Sequence, residues 1–244
     1  MPDTVLQIET DAGVRRLRLD RPSSGNALSA DLVDALTDAV EACFRDGVRR
    51  LVIEGAGRHF CTGVDLSALD QETDDSLLAR FVRIELLLQA VYQAPFETIA
   101  IAHGRVAGAG ADLFAACRRR VVLGNASFAF PGACGFGLVL GTRRLAARVG
   151  SDTAQAWIRS GRWIDAEEAL AAGLAQTRID AAENLDAPSA GLPDAFTQAL
   201  LDQAMQAPGA ADLDLALLAR SAARPGLKRR IQEYAARVRA ARQQ

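Results

Sequence analysis

Two stretches of this chain, residues 48–53 and 98–102, are strand-like and dominated by apolar side chains, and each leads directly into a glycine-bearing turn. A strand without polar alternation is expected where both faces of a sheet are covered, and such strands alternating with helices build a parallel α/β sheet. The first turn spans residues 55–60 and continues into Cys61-Thr62-Gly63-Val64-Asp65-Leu66. The second spans residues 104–113 and opens a small-residue helix that runs through Cys117. A strand that passes through small residues into a helix leaves backbone N–H groups without intrahelical partners.

The remaining periodicities fit the same class. Residues 4–9 and 14–20 read as a hairpin about Asp11-Ala12-Gly13. Ser29 is expected to cap a helix with Leu32, Leu36, Val40 and Phe44 on one face, ended by Gly47. Residues 74–94 carry the clearest helical stripe, Leu77, Phe81, Ile84, Leu88 and Val91, which Pro95 stops. Strands are expected at 121–123 and 127–130, and helices at 142–149 and 152–160. Asp165 with Glu168 three residues on has the form of a capping box, and Gly173 ends that helix. Residues 181–193 read as a linker, followed by helical sequence that finishes in an Arg/Ala-rich helix over 226–242.

Composition narrows the functional classes. The 28 basic and 30 acidic residues leave a net charge of −2, so no chain-wide positive field exists to hold a nucleic-acid backbone. No apolar run approaches a membrane span, and the first residues lack the basic and apolar regions of a signal peptide, which predicts a cytoplasmic protein. Cys43, Cys61, Cys117 and Cys134 form no CxxC pair, and His59 and His103 show no metal-ligand spacing, so free thiols and no metal are expected.

Two glycine turns brought together could hold one oxygen atom between two N–H donors, an oxyanion hole. The same glycines also suit close helix–strand packing. A dinucleotide site is disfavoured: Leu113 stands where a third glycine would be needed, and no acidic residue follows at the required distance.

The order of elements, the 60–66 loop, the 103–112 turn and the 161–174 segment resemble the enoyl-CoA hydratase/isomerase (crotonase) superfamily over about residues 4–178. The resemblance implies an α/β, crotonase-like spiral of strand–strand–helix units with a C-terminal helical segment. The core would cover 1–182, and a linker with helices for oligomerisation or as a lid would cover 183–244. It implies an acyl-CoA thioester as ligand, no metal or redox cofactor (coenzyme A being part of the substrate), and a homotrimer or hexamer.

The family's oxyanion donors map by this resemblance to the backbone N–H groups of Thr62 and Ala109. Its substrate contacts map to Ala27, Cys61, Gly63, Val64, Asp65, Leu66, Gly108, Pro131 and Gly132. The first of two family glutamates falls on Asp112, the acid/base candidate, and the second on Gly132, which has no side chain to react. No carboxylate lies between Asp112 and Asp152, so two-carboxylate hydration is in doubt. The resemblance thus implies an enoyl-CoA hydratase/isomerase-like enzyme that stabilises an enolate in the oxyanion hole but lacks the second glutamate; an atypical acyl-CoA lyase, hydrolase or decarboxylase, or a catalytically reduced CoA-ester-binding accessory protein, are the alternatives. His103, His59 and Cys134 are the spare groups; His103 is expected to bond backbone and His59 to sit at the rim. Asp65 is expected to order its loop, and Arg21 to be solvated or to meet a phosphate.

Overall fold

The structure, a computed structural model, describes residues 4–181 and 209–241 and isolated positions from 197 to 205. Most of the predicted linker therefore lies outside the described residues. Strands β1 (Leu6–Asp11), β2 (Val14–Leu19), β3 (Arg50–Gly55), β4 (Glu97–Ala107), β5 (Arg119–Ala129) and β6 (Thr177–Ile179) form one sheet in chain order. β1 and β2 pair antiparallel, and every later pairing is parallel. The hairpin closes through Ala12 and Gly13, both at positive φ, the two-residue turn whose twist matches its strands.

Helix α1 (Ala30–Arg45) begins where expected, with the Ser29 side chain accepting the Leu32 N–H at 3.2 Å. Its buried stripe is Leu32, Val33, Leu36, Ala39, Val40 and Cys43, while Phe44, expected on that face, is half-exposed. Phe44 instead meets the Phe96 ring edge-on, with the centroids 5.2 Å apart. All five stripe residues of α2 (Asp74–Tyr92) are buried. Residues 98–102 are buried on both faces: Ala100 and Ala102 join the main core, and Ile99 and Ile101 join Val52 and Val121 in a second cluster.

Two expectations change. β4 does not stop at residue 102 but continues through a bulge to Ala107, so the second turn begins only at Gly108. Gly104 makes the bulge possible: φ is +60°, and a methyl group there would fall 2.0 Å from the Arg58 carbonyl oxygen. The two strands expected at 121–123 and 127–130 are one strand, β5, because residues 126–129 stay paired with 104–107 of β4. The extended ends of β4 and β5, bridged to Cys61 and Ile164, carry both glycine turns to one place.

Helix α3 (Ala109–Ala116) follows β4. The short α4 (Gly132–Phe136) follows β5, and α5 (Thr142–Val149), α6 (Ser151–Ser160) and α7 (Ala166–Ala171) succeed it. Asp165 caps α7 through the Glu168 N–H, but the Glu168 side chain turns to Trp157 and Arg162, so the expected box is half-formed. Helices α8 (Ala210–Ala222) and α9 (Leu227–Ala241) pack onto the same core through Leu218, Leu227 and Ile231.

Candidate active site

The 60–66 loop and the start of α3 meet at Gly63, where a methyl group would lie 2.9 Å from the Ala107 carbonyl oxygen and 3.8 Å from the Ala109 nitrogen. The contact is held from both sides. The Ala107 N–H donates to the Cys61 carbonyl at 3.0 Å, and the Gly108 N–H donates to the Ala129 carbonyl at 2.9 Å. The Ala109 N–H, at the first turn of α3, has no acceptor among the described residues.

The N–H of Thr62, expected to be the other donor, is directed elsewhere: it donates to the Gly25 carbonyl at 3.0 Å. Its hydroxyl contacts the Ser24 carbonyl. Residues 63 and 65 are bonded to Leu28 in a parallel bridge, so the intervening Val64 turns its own N–H the other way, and it has no acceptor among the described residues. The free pair of donors is thus Val64 and Ala109, a correction of two positions on the first loop.

Both residues line a mainly apolar cavity with Thr62, Gly63, Leu66, Gly108, Pro131 and Gly132. Phe81, Phe136, Leu140, Leu145 and Ile158 line it as well, as does Tyr234 from α9. Ala27 and Cys61 are buried behind the loop rather than in the wall, and burial pushes the Cys61 thiol up to about 12. Asp65 also stands outside the cavity lining. It accepts the Ser67 N–H at 2.9 Å and pairs with Arg21 at 2.8 Å. Burial pushes its carboxyl up, but the bonds from Ser67 and Arg21 outweigh that and hold it below the usual range. Arg21 is therefore engaged within the chain, tying the 21–27 segment to the loop, and is neither solvated nor free.

Asp112 lies in the cavity wall on the first turn of α3, 6% exposed, and its carboxyl makes no hydrogen bond among the described residues. Burial pushes its pKa up to about 8; the nearby Arg144 guanidinium opposes the rise and Glu85 adds to it. Among the described residues it is the one carboxylate lining the cavity. Gly141 must be glycine here: at φ +67°, a methyl group would fall 2.0 Å from Asp112 Oδ1.

The spare groups stand apart from this cavity. The ring of His103 bonds the Gly57 carbonyl at 2.9 Å. His59 accepts the Arg105 N–H, and burial followed by Arg105 and Arg58 lowers its pKa. Cys134 is exposed beside Gly161 and lines a neighbouring chamber. No group of three or more His, Cys, Asp or Glu residues among those described could hold a metal ion. Tyr234 was not singled out from sequence; only its place in the Arg/Ala-rich helix was readable.

A model of the family described as enoyl-CoA hydratase/isomerase matches residues 9–201. The chain belongs to the enoyl-CoA hydratase/isomerase family. A crystallised family protein from Bordetella parapertussis, assigned to the enoyl-CoA hydratases/isomerases, superimposes with a TM-score of 0.89 at 44% identity, over 95% of this chain and 98% of that one. The probable enoyl-CoA hydratase of Bacillus subtilis (strain 168) is 34% identical over 69% of this chain and 67% of its own length. The probable enoyl-CoA hydratase echA6 of Mycobacterium tuberculosis is 35% identical over 66% of this chain, and the match spans 65% of that protein. The fold of this family member is the α/β crotonase fold that the sequence predicted.

Proposed function

We propose that this family member acts on an acyl-CoA thioester, binding the thioester carbonyl between the N–H groups of Val64 and Ala109. Asp112 then removes or returns a proton at the carbon next to that carbonyl. The observation that carries the reading is an unpartnered buried carboxyl sharing one apolar cavity with two unpartnered N–H groups. In the proton-removing step the α-C–H electron pair moves onto the carbonyl oxygen, and Asp112 takes the proton. The two N–H groups hold the resulting oxyanion, an arrangement in which each donor contributes about 3 kcal/mol in comparable sites. The mainly apolar lining strengthens both interactions.

With Gly132 at the second glutamate position, proton relocation or a lyase step fits better than hydration between two carboxylates. One acid/base supplies about 10²–10⁴-fold. The names of the relatives, probable enoyl-CoA hydratases, support the ligand class. A cytoplasmic homotrimer or hexamer completes the reading, and light scattering on the purified chain tests the assembly.

The decisive experiment is α-proton exchange in D₂O over a panel of acyl-CoA thioesters, read by mass spectrometry. Deuterium uptake that Asp112→Asn abolishes, with thioester binding retained, is the expected result. The exchange rate should rise with pH and level off above about 8, since the ionised carboxyl is the base. Binding without exchange in the parent chain would remove proton transfer and leave a CoA-ester-binding accessory protein.

A further inference from the structure

A second chamber adjoins the first and shares Thr62, Ala107, Pro131 and Tyr234 with it. Its own wall is different in chemistry. Arg105 comes from β4, Arg237 from α9, and Trp163 from the segment before α7. The Arg105 guanidinium lies over the Trp163 ring, 5.6 Å from its centroid. Arg237 Nη2 donates to the Gly135 carbonyl at 2.9 Å, which fixes the end of that side chain at the chamber. No carboxylate is among the residues that line the chamber, and neither arginine forms an ion pair among the described residues. Glu168, a carboxylate on the adjacent α7, is already held by Arg162 and Trp157. Two guanidinium groups facing one concavity without a counter-charge repel each other and attract an anion. The guanidinium fork matches carboxylate and phosphate oxygens in particular.

We propose that this second chamber is an anion-binding subsite, which takes an oxyanion group of the ligand whose thioester occupies the first chamber. The anion is a carboxylate at the far end of the acyl group. The proposal deepens the reading above and rests on it for the ligand, but its test needs no turnover.

The test compares binding of glutaryl-CoA and pentanoyl-CoA, which differ by a terminal carboxylate, to the parent full chain and to Arg105→Gln and Arg237→Gln. Calorimetry gives the affinities. Trp163 fluorescence gives a local readout, assigned by its loss in Trp163→Phe, because Trp157 is buried. If the acyl carboxylate is the anion, glutaryl-CoA binds about tenfold more tightly than pentanoyl-CoA, and either substitution erases the difference. If both thioesters instead weaken about equally in both variants, and inorganic phosphate competes with them in the parent chain, the arginines hold a carrier phosphate and the proposal is overturned. Affinities unchanged within about twofold for both thioesters in both variants overturn the proposal. Arg105→Lys, which keeps the charge, guards against a folding defect by retaining part of the affinity. Loss of α-proton exchange in Asp112→Asn bears on the catalytic reading and leaves these binding outcomes untouched.

Discussion

Asp112 and Gly141 constrain each other: the carboxyl occupies the space that any side chain at 141 would need. Gly141→Ala should therefore cost about 1–3 kcal/mol from strain at positive φ and displacement of the carboxyl, read by urea unfolding, and should lower α-proton exchange as well. A variant with full stability and full exchange would contradict the close approach. The same carboxyl makes stability depend on pH. Folding raises its pKa from the usual value near 3.9 to about 8, so the folded chain keeps a proton that the unfolded chain releases. Its contribution is full below about pH 4 and is lost as pH rises through about 8. Asp112→Asn carries no such term, so its melting temperature should gain on the parent's between pH 5 and 8.5. Parallel curves would show that burial does not set this pKa.

At the scale of elements, the most informative group is Asp74 at the start of α2. Its carboxylate accepts the N–H groups of Gly226, Leu227 and Lys228, so a residue of one helix caps the N-terminus of α9. Those backbone bonds, the Lys228 N–H foremost, hold its pKa below the usual range. The cap is present above the ordinary carboxylate pKa and is lost as pH falls through the lower folded value. Asp74→Ala should speed amide hydrogen exchange at 226–230 while residues 80–90 of α2 stay protected; unchanged exchange would refute the cap. Local caps of this kind divide what sequence can and cannot reveal. Ser29 and Asp165 were legible because cap and partner are three residues apart. Asp74 was not, since its partners lie about 150 positions away. The same limit explains why the free N–H on the first loop is that of Val64 and not of Thr62. Which of the two N–H groups is left without an acceptor depends on the pairing of the loop with Gly25 and Leu28, which the motif alone does not encode. Asp112 was reached through the family resemblance, and its place on the first turn of α3 is local, whereas Tyr234, Arg105 and Arg237 converge only through tertiary packing.

For the whole molecule, one buried ion pair joins the layers behind the cavity. Arg144 on α5 and Glu85 on α2 are both 1% exposed and meet through two hydrogen bonds. Asp214 on α8 extends the group to Arg144 and Arg143, while Arg144 Nε has no partner among the described residues. Glu85→Gln takes the closer of its two carboxylate partners from the buried Arg144 and leaves only the longer contact to Asp214, so it should cost up to about 3–5 kcal/mol by denaturant unfolding. Glu85→Leu combined with Arg144→Met should recover part of that loss; a double variant worse than both singles would refute the pairing account. The cap on α9 also has a consequence in time. Both N–H donors and Asp112 belong to the first half of the chain, but the cavity wall at Tyr234 stands on a helix tied back across 153 positions, from Leu227 to Asp74. During synthesis from the N-terminus, these groups can be brought together on the ribosome well before that wall exists. The Tyr234 part of the cavity wall is the last of its lining that the emerging chain supplies.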